Sequence, residues 1–181
     1  MSKLSRSHES KDHKPHGRRS ELSEETARAA EPIRIFVDAD ACPVKDEVYR
    51  VAGRYGLFVF VVANAFMRVP KHERIKLVSV DAGPDAADDW IALRAGPGDI
   101  VITSDIPLAS RCLKAGAAAI GPTGKPFTTD SIGAALAGRG IAEHLRSIGE
   151  MTSGPKALGP ADRSRFLSAL DTAVNRSLRR K

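Results

Sequence analysis

Ile33-Arg34-Ile35-Phe36-Val37-Asp38-Ala39-Asp40-Ala41-Cys42-Pro43 is the stretch on which the fold turns. Ile33 to Val37 is an apolar run of strand length, suited to burial on both faces of a sheet. Asp38 and Asp40 then stand where the strand gives way to a helix with Pro43 in its first turn. In an open α/β sheet that edge is where ligands bind. An aspartate there also caps a helix, which accounts for one carboxylate and leaves the other over.

Outward from this point, helix-period and apolar-run segments alternate. Val44 to Tyr55 reads as a helix and Leu57 to Ala63 as a second strand. A polar stretch through Arg68, Pro70 and His72 leads to a strand near Leu77 to Val80 and a helix from Asp85 to Arg94. Asp99 to Thr103, Pro107 to Ala115 and Ala117 to Ile120 continue as strand, helix and short strand. Such alternation predicts an α/β fold: a three-layer α/β/α sandwich with a mainly parallel central sheet and right-handed crossovers. Beyond it lie a Gly/Pro loop (Gly121 to Pro126), a helix near Ser131 to Ser147, and a loop through Gly154 and Gly159. Last comes an amphipathic helix with Phe166, Leu167, Leu170 and Val174 on one face and Arg163, Arg165, Arg176, Arg179 and Arg180 interleaved. The expected organisation is a disordered polar tail over residues 1–32, an α/β domain over 33–150, and a basic helical extension over 151–181 packed on that domain.

With 181 residues and 42% hydrophobic side chains, the chain is long enough for one ordinary domain. Its apolar runs fall short of the roughly 20 residues of a membrane span, and its first residues lack a signal peptide's apolar stretch. We expect a cytoplasmic protein without membrane contact. Cys42 and Cys112 form no CxxC pair and have no histidine at zinc spacing, so we expect both to be reduced and half-buried rather than bridged or metal-bound. His8, His13 and His16 lie scattered in the tail, a pattern that binds nothing specific.

The net charge of +6 is uneven: Lys/Arg against Asp/Glu stand at seven to six over residues 1–32, twelve to twelve over 33–138, and nine to four over 139–181. A basic end beside a neutral domain suits a polyanionic partner such as nucleic acid, although a solvated helix face has the same composition.

Two further acidic groups join Asp38 and Asp40. Asp85, Asp88 and Asp89 open a helix, with Asp85 three and four residues from the other two and so on their face. The helix dipole favours acids there, but their mutual repulsion is a cost that a cation relieves. Ser104-Asp105 follows the next strand, where Asp105 by itself is also an N-cap. Strand ends of a parallel sheet share one edge, so all three groups are expected to meet. Close carboxylates without a cation are unfavourable, and oxygen ligands in that number suit Mg²⁺ or Mn²⁺.

Other chemistries fit less well. His72 and His144 flank no Ser or Cys nucleophile pattern. Gly121-Pro122-Thr123-Gly124-Lys125-Pro126 lacks the spacer of a P-loop and carries Pro126 in the Ser/Thr position, so it reads as a turn. Arg68, Lys71 and Lys125 are loop cations placed to meet phosphate.

Several motifs in fixed order resemble one family: Val37-Asp38-Ala39-Asp40-Ala41-Cys42-Pro43-Val44-Lys45, Val62-Ala63-Asn64, Asp85-Ala86-Ala87-Asp88-Asp89-Trp90-Ile91, and Ile102-Thr103-Ser104-Asp105-Ile106-Pro107-Leu108-Ala109. With Ile132-Gly133, Gly149-Glu150 and Asp162-Arg163-Ser164-Arg165-Phe166, they are similar to the YaiI/YqxD family of bacterial proteins over residues 33–175. Where that family has Gly-Gly-Pro, this chain has Ser153-Gly154-Pro155. The family in turn resembles a branch of the PIN-like nucleases, NYN-type ribonucleases included. That resemblance implies a PIN-like sandwich in which Asp38, Asp85, Asp88 and Asp105 are catalytic and hold Mg²⁺ or Mn²⁺, with Asp40 and Asp89 as further ligands. Asn64, Arg68, Thr103, Ser104 and Lys125 would face the substrate, an RNA phosphodiester. Two other readings stay open. Asp38-Ala39-Asp40 is also similar to the nucleophile and acid of haloacid-dehalogenase phosphatases, whose later Lys and acidic pair are not evident here. A catalytically silent nucleic-acid-binding module would use the basic C-terminal helix.

Overall fold

The computed structural model describes residues 32–39, 42–81, 83, 85–134 and 158–180. The tail over 1–31, Asp40, most of the Ser131 to Ser147 helix and the Ser153-Gly154-Pro155 loop lie outside them. Five strands, β1 (Arg34–Asp38), β2 (Phe58–Ala63), β3 (Ile75–Ser79), β4 (Ile100–Ile102) and β5 (Ala118–Ile120), form one sheet in the order β3-β2-β1-β4-β5. Every pairing is parallel. Helices α1 (Lys45–Tyr55), α2 (Ala86–Ala92), α3 (Ile106–Lys114) and α4 (Pro160–Arg179) accompany them, and residues 129–134 are helical as well.

Side chains of a strand alternate between faces, and the apolar runs of β1, β2 and β4 feed both. On one face Ile35, Val37, Val59, Val61, Ile100 and Ile102 pack with Val48 and Val51 of α1 and Phe166, Leu170 and Val174 of α4. On the other, Phe36, Val62 and Val101 pack with Ala87 and Ile91 of α2 and Leu108 and Cys112 of α3. The result is the three-layer α/β/α sandwich expected from the alternation. Among the described residues, no helix is long and apolar enough to cross a membrane.

Two details depart from the sequence reading. Strand β3 starts at Ile75, two residues earlier than read, and follows β2 through residues 64–74 without a helix. A parallel crossover needs about a dozen residues to cover the sheet face, and here Met67 and Val69 supply that cover by packing on the α1 side. The cysteines are fully buried, not half-buried: Cys42 and Cys112 are free thiols, and burial pushes both up to about 11, where they act as apolar filler.

The C-terminal helix runs alongside α1 in the same direction. Its first turn is tied by Arg163 Nη1, which donates to Glu47 Oε1 at 2.9 Å and to the Pro43 carbonyl at 3.2 Å. Two turns on, Asp171 accepts from Arg54 Nη1 at 2.8 Å and from the Tyr55 hydroxyl at 2.9 Å. Arg176, Arg179 and Arg180 therefore sit at the edge where the strands begin, away from the acidic end of β1.

Candidate active site

Chain direction reverses at β1. The first connections lead outward to β2 and β3, and the chain then returns to place β4 and β5 on the other side. The crevice between the carboxyl ends of β1 and β4 is thus the topological switch point, where ligands of such sheets bind. These two strands are clamped at both ends. At their start, Arg34 Nη2 pairs with the buried Asp99 Oδ2 at 2.8 Å. At their finish, the Thr103 hydroxyl donates to Asp38 Oδ2 at 2.7 Å.

That second contact is the first link of a chain through the site. Asp38, the last residue of β1, is only 7% exposed, and Thr103 is 1% exposed. Thr103 Oγ1 also accepts from the Asp105 backbone N–H at 2.9 Å. Asp105 Oδ1 accepts from the Leu108 N–H at 2.7 Å, so the carboxylate caps α3, and the cap fixes the side chain at the carboxyl end of β4.

Asp88 arrives from α2. Its carboxyl is pushed up to about 6 by burial first, and then by the negative charges of Asp105, Asp38 and Asp85, with Arg111 opposing. Such charges act on the Asp88 carboxyl only at short range, so Asp88 lies near Asp38 and Asp105. Asp85, the exposed residue before α2, takes a left-handed backbone with φ 63°, a conformation that aspartate tolerates better than most residues. Asp89 turns elsewhere and pairs with Arg111 Nη2 of α3 at 2.7 Å.

Among the described residues, no three His, Cys, Asp or Glu side chains draw together tightly enough to hold a metal ion as they stand. The donor chemistry nonetheless fits a hard cation: Asp38, Asp85, Asp88 and Asp105 offer oxygen alone, and their mutual repulsion is what a divalent ion relieves. Thr103 is buried and serves to position Asp38, whereas Ser104 and Asn64 are exposed at the same edge. Lys125 is exposed in the turn after β5, whose Gly121 N–H donates to the Lys125 carbonyl at 2.9 Å, bearing out the reading of this stretch as a turn. Arg68 is exposed in the β2–β3 connection.

Two neighbours of the site escaped sequence reasoning. Lys45 Nζ donates back to the Ala39 carbonyl at 3.3 Å, steadying the turn after β1. Arg111 is the counter-charge nearest the α2 carboxylates. The cue for Lys45 was a cation in the first helical turn, where the dipole disfavours it.

The raised Asp88 carboxyl makes a stability prediction. Its folded pKa lies above the ordinary 3.8, so the folded state holds this proton more tightly, and the associated stability is lost as pH rises from about 4 through 6. The carboxyl is partly solvent-screened, which reduces the effect to on the order of 1 kcal/mol. Asp88→Asn should melt about 2 to 4 °C above wild type at neutral pH, and the two curves should converge near pH 4. A difference independent of pH would contradict the clustering of charge.

The sequence matches the family model described as Uncharacterized BCR, YaiI/YqxD family, over residues 36–176. It is similar to a UPF0178 protein of Caulobacter sp. (strain K31), 69% identical over 145 residues that cover 80% of this chain and 96% of the relative. A UPF0178 protein of Rhodopseudomonas palustris (strain TIE-1) is 64% identical over 148 residues, covering 82% and 94%. One from Caulobacter vibrioides (strain NA1000 / CB15N) is 61% identical over 145 residues, covering 80% and 95%. No solved structure matches the chain.

Proposed function

The chain belongs to the YaiI/YqxD family, and from the acidic crevice that the family match encloses we propose that it is a divalent-metal-dependent nuclease acting on RNA. The observation that carries this reading is the Asp38–Thr103–Asp105 hydrogen-bond chain across the switch point, with Asp88 electrostatically coupled to both carboxylates. The similarity of the same motifs to PIN-like nucleases supports it.

Asp38, Asp85, Asp88 and Asp105, with Asp40 as a further ligand, would hold Mg²⁺ or Mn²⁺, which would supply an activated water and neutralise charge on the scissile phosphate, while Asp89 stays paired with Arg111. Thr103 orients the Asp38 carboxylate, and the Leu108 N–H orients that of Asp105, so neither has to be ordered as the substrate arrives. Asn64, Arg68, Ser104 and Lys125 at the crevice edge would contact the chain of phosphates. Hydrolysis adds water across one P–O bond and leaves a phosphate monoester and a free hydroxyl.

The expected result is cleavage of single-stranded RNA by the purified chain in Mn²⁺ and none in EDTA. Equal absence of cleavage in both conditions overturns the proposal. A phosphoryl group trapped on Asp38 would point instead to a haloacid-dehalogenase-type phosphatase.

A further inference from the structure

Phe66 is the most exposed large hydrophobic side chain among the described residues, at 84%. A single exposed phenylalanine needs no explanation by itself. This one sits beside two anchored neighbours. Over residues 66–70 burial alternates strictly: Phe66, Arg68 and Pro70 are exposed, while Met67 and Val69 pack into the main core cluster. A two-residue burial period is that of an extended chain, in which Phe66 and Arg68 turn to the side opposite Met67 and Val69. The ring of Phe66 and the guanidinium of Arg68 therefore share one solvent-facing surface, with Lys71 just beyond.

This surface borders the acidic crevice. Val62 of β2 pairs with Asp38 of β1, and Phe66 follows four residues later at the edge where both strands end. Four extended residues reach at most about 14 Å, and neighbouring strands lie about 5 Å apart. Phe66 is thus within a few nucleotides' length of Asp38. The connection over residues 64–74 carries Arg68, Lys71 and Arg74 against Glu73 alone, and Glu73 is paired with Arg74 at 3.5 Å. Among the described residues, no ion pair involves Arg68 or Lys71.

An exposed ring flanked by cations offers the two things a single nucleic-acid strand presents, a π-face and a phosphate. A duplex presents only the phosphate, because its bases are already stacked. We propose that Phe66 is a base-stacking platform with Arg68 as its phosphate partner, so that the crevice selects single-stranded nucleic acid over duplex. This rests on the nuclease reading for its choice of ligand class, but its test separates the two.

The full chain carrying Asp38→Asn, in Mn²⁺, is titrated into fluorescently labelled oligouridylate, an abasic strand of equal length, and an RNA duplex. Phe66→Ala in that background should weaken oligouridylate binding roughly tenfold and leave the abasic strand unchanged. Phe66→Trp should keep the affinity, and its added emission should be quenched by oligouridylate but not by the abasic strand. Unchanged oligouridylate affinity in Phe66→Ala, an equal loss on both strands, or parental binding that favours the duplex overturns the platform. Cleavage of the oligouridylate by the chain with Asp38 intact reports on the nuclease reading separately. Phe66-dependent binding without cleavage keeps the platform and sinks the catalysis, whereas cleavage indifferent to Phe66 does the reverse.

Discussion

Asp38→Asn should lower Mn²⁺-dependent RNA cleavage by about a hundredfold or more while leaving the fold intact. Groups that merely orient a metal ligand already cost 10- to 100-fold when removed, and a carboxylate expected to contact the ion directly should cost at least as much. The substitution keeps size and shape. An amide oxygen still accepts from the Thr103 hydroxyl, which can go on accepting from the Asp105 N–H, so the link between β1 and β4 survives. Removing a buried negative charge beside Asp88 and Asp105 also lessens repulsion when no cation is present. The variant should therefore melt no lower than wild type in EDTA, yet gain less from added Mn²⁺, because ligand-linked stabilisation scales with affinity. Cleavage at the wild-type rate by a correctly folded Asp38→Asn chain would remove Asp38 from the chemistry. A large loss of melting temperature would show instead that its charge is structural.

Phe166→Ala should cost about 3 to 5 kcal/mol, the range for deleting a fully buried phenylalanine. Phe166 is 0% exposed and belongs to the same core cluster as β1, β2, α1 and the buried residues Leu170 and Val174 of its own helix. The site cannot collapse easily around the lost ring. Arg163 and Asp171 hold α4 against both ends of α1, and the turn after β5 presses on its backbone. Gly124, at φ 82°, comes so close that an added Cβ would lie 2.7 Å from Phe166 N. A loss of this size is a large part of the 5 to 15 kcal/mol that typically separates folded from unfolded domains. Urea unfolding with an unchanged slope would measure it. A cost under about 1 kcal/mol would mean that α4 is an appendage and not a layer of the sandwich.

That Asp38 and Asp105 follow strands and that Asp88 opens a helix was legible in the sequence, but not which acids interact. Asp88 and Asp89 are adjacent acids in one helical turn, and spacing ranked them alike. Arg111 separates them by drawing Asp89 toward α3, while Asp88 stays with Asp38 and Asp105. The C-terminal arginines show the same limit. Their count suggested one basic surface, yet Arg163 is spent on Glu47, Arg165 on Asp162, and Arg176 to Arg180 lie at the far edge of the sheet. Phe66 was passed over because a lone aromatic in a polar loop has no periodicity to mark it.

What the amino-acid order determined by itself was local: apolar runs against helical periods, and aspartates placed directly after strands. Those follow from the chain's own geometry, since a strand's neighbour in sequence is also its neighbour in space. The order β3-β2-β1-β4-β5, the helix-free crossover packed by Met67 and Val69, and the hydrogen bond from Thr103 to Asp38 were decided only by tertiary structure. Their partners lie far apart along the chain, 65 residues in the case of Thr103 and Asp38, and no local preference encodes which strand end will face which.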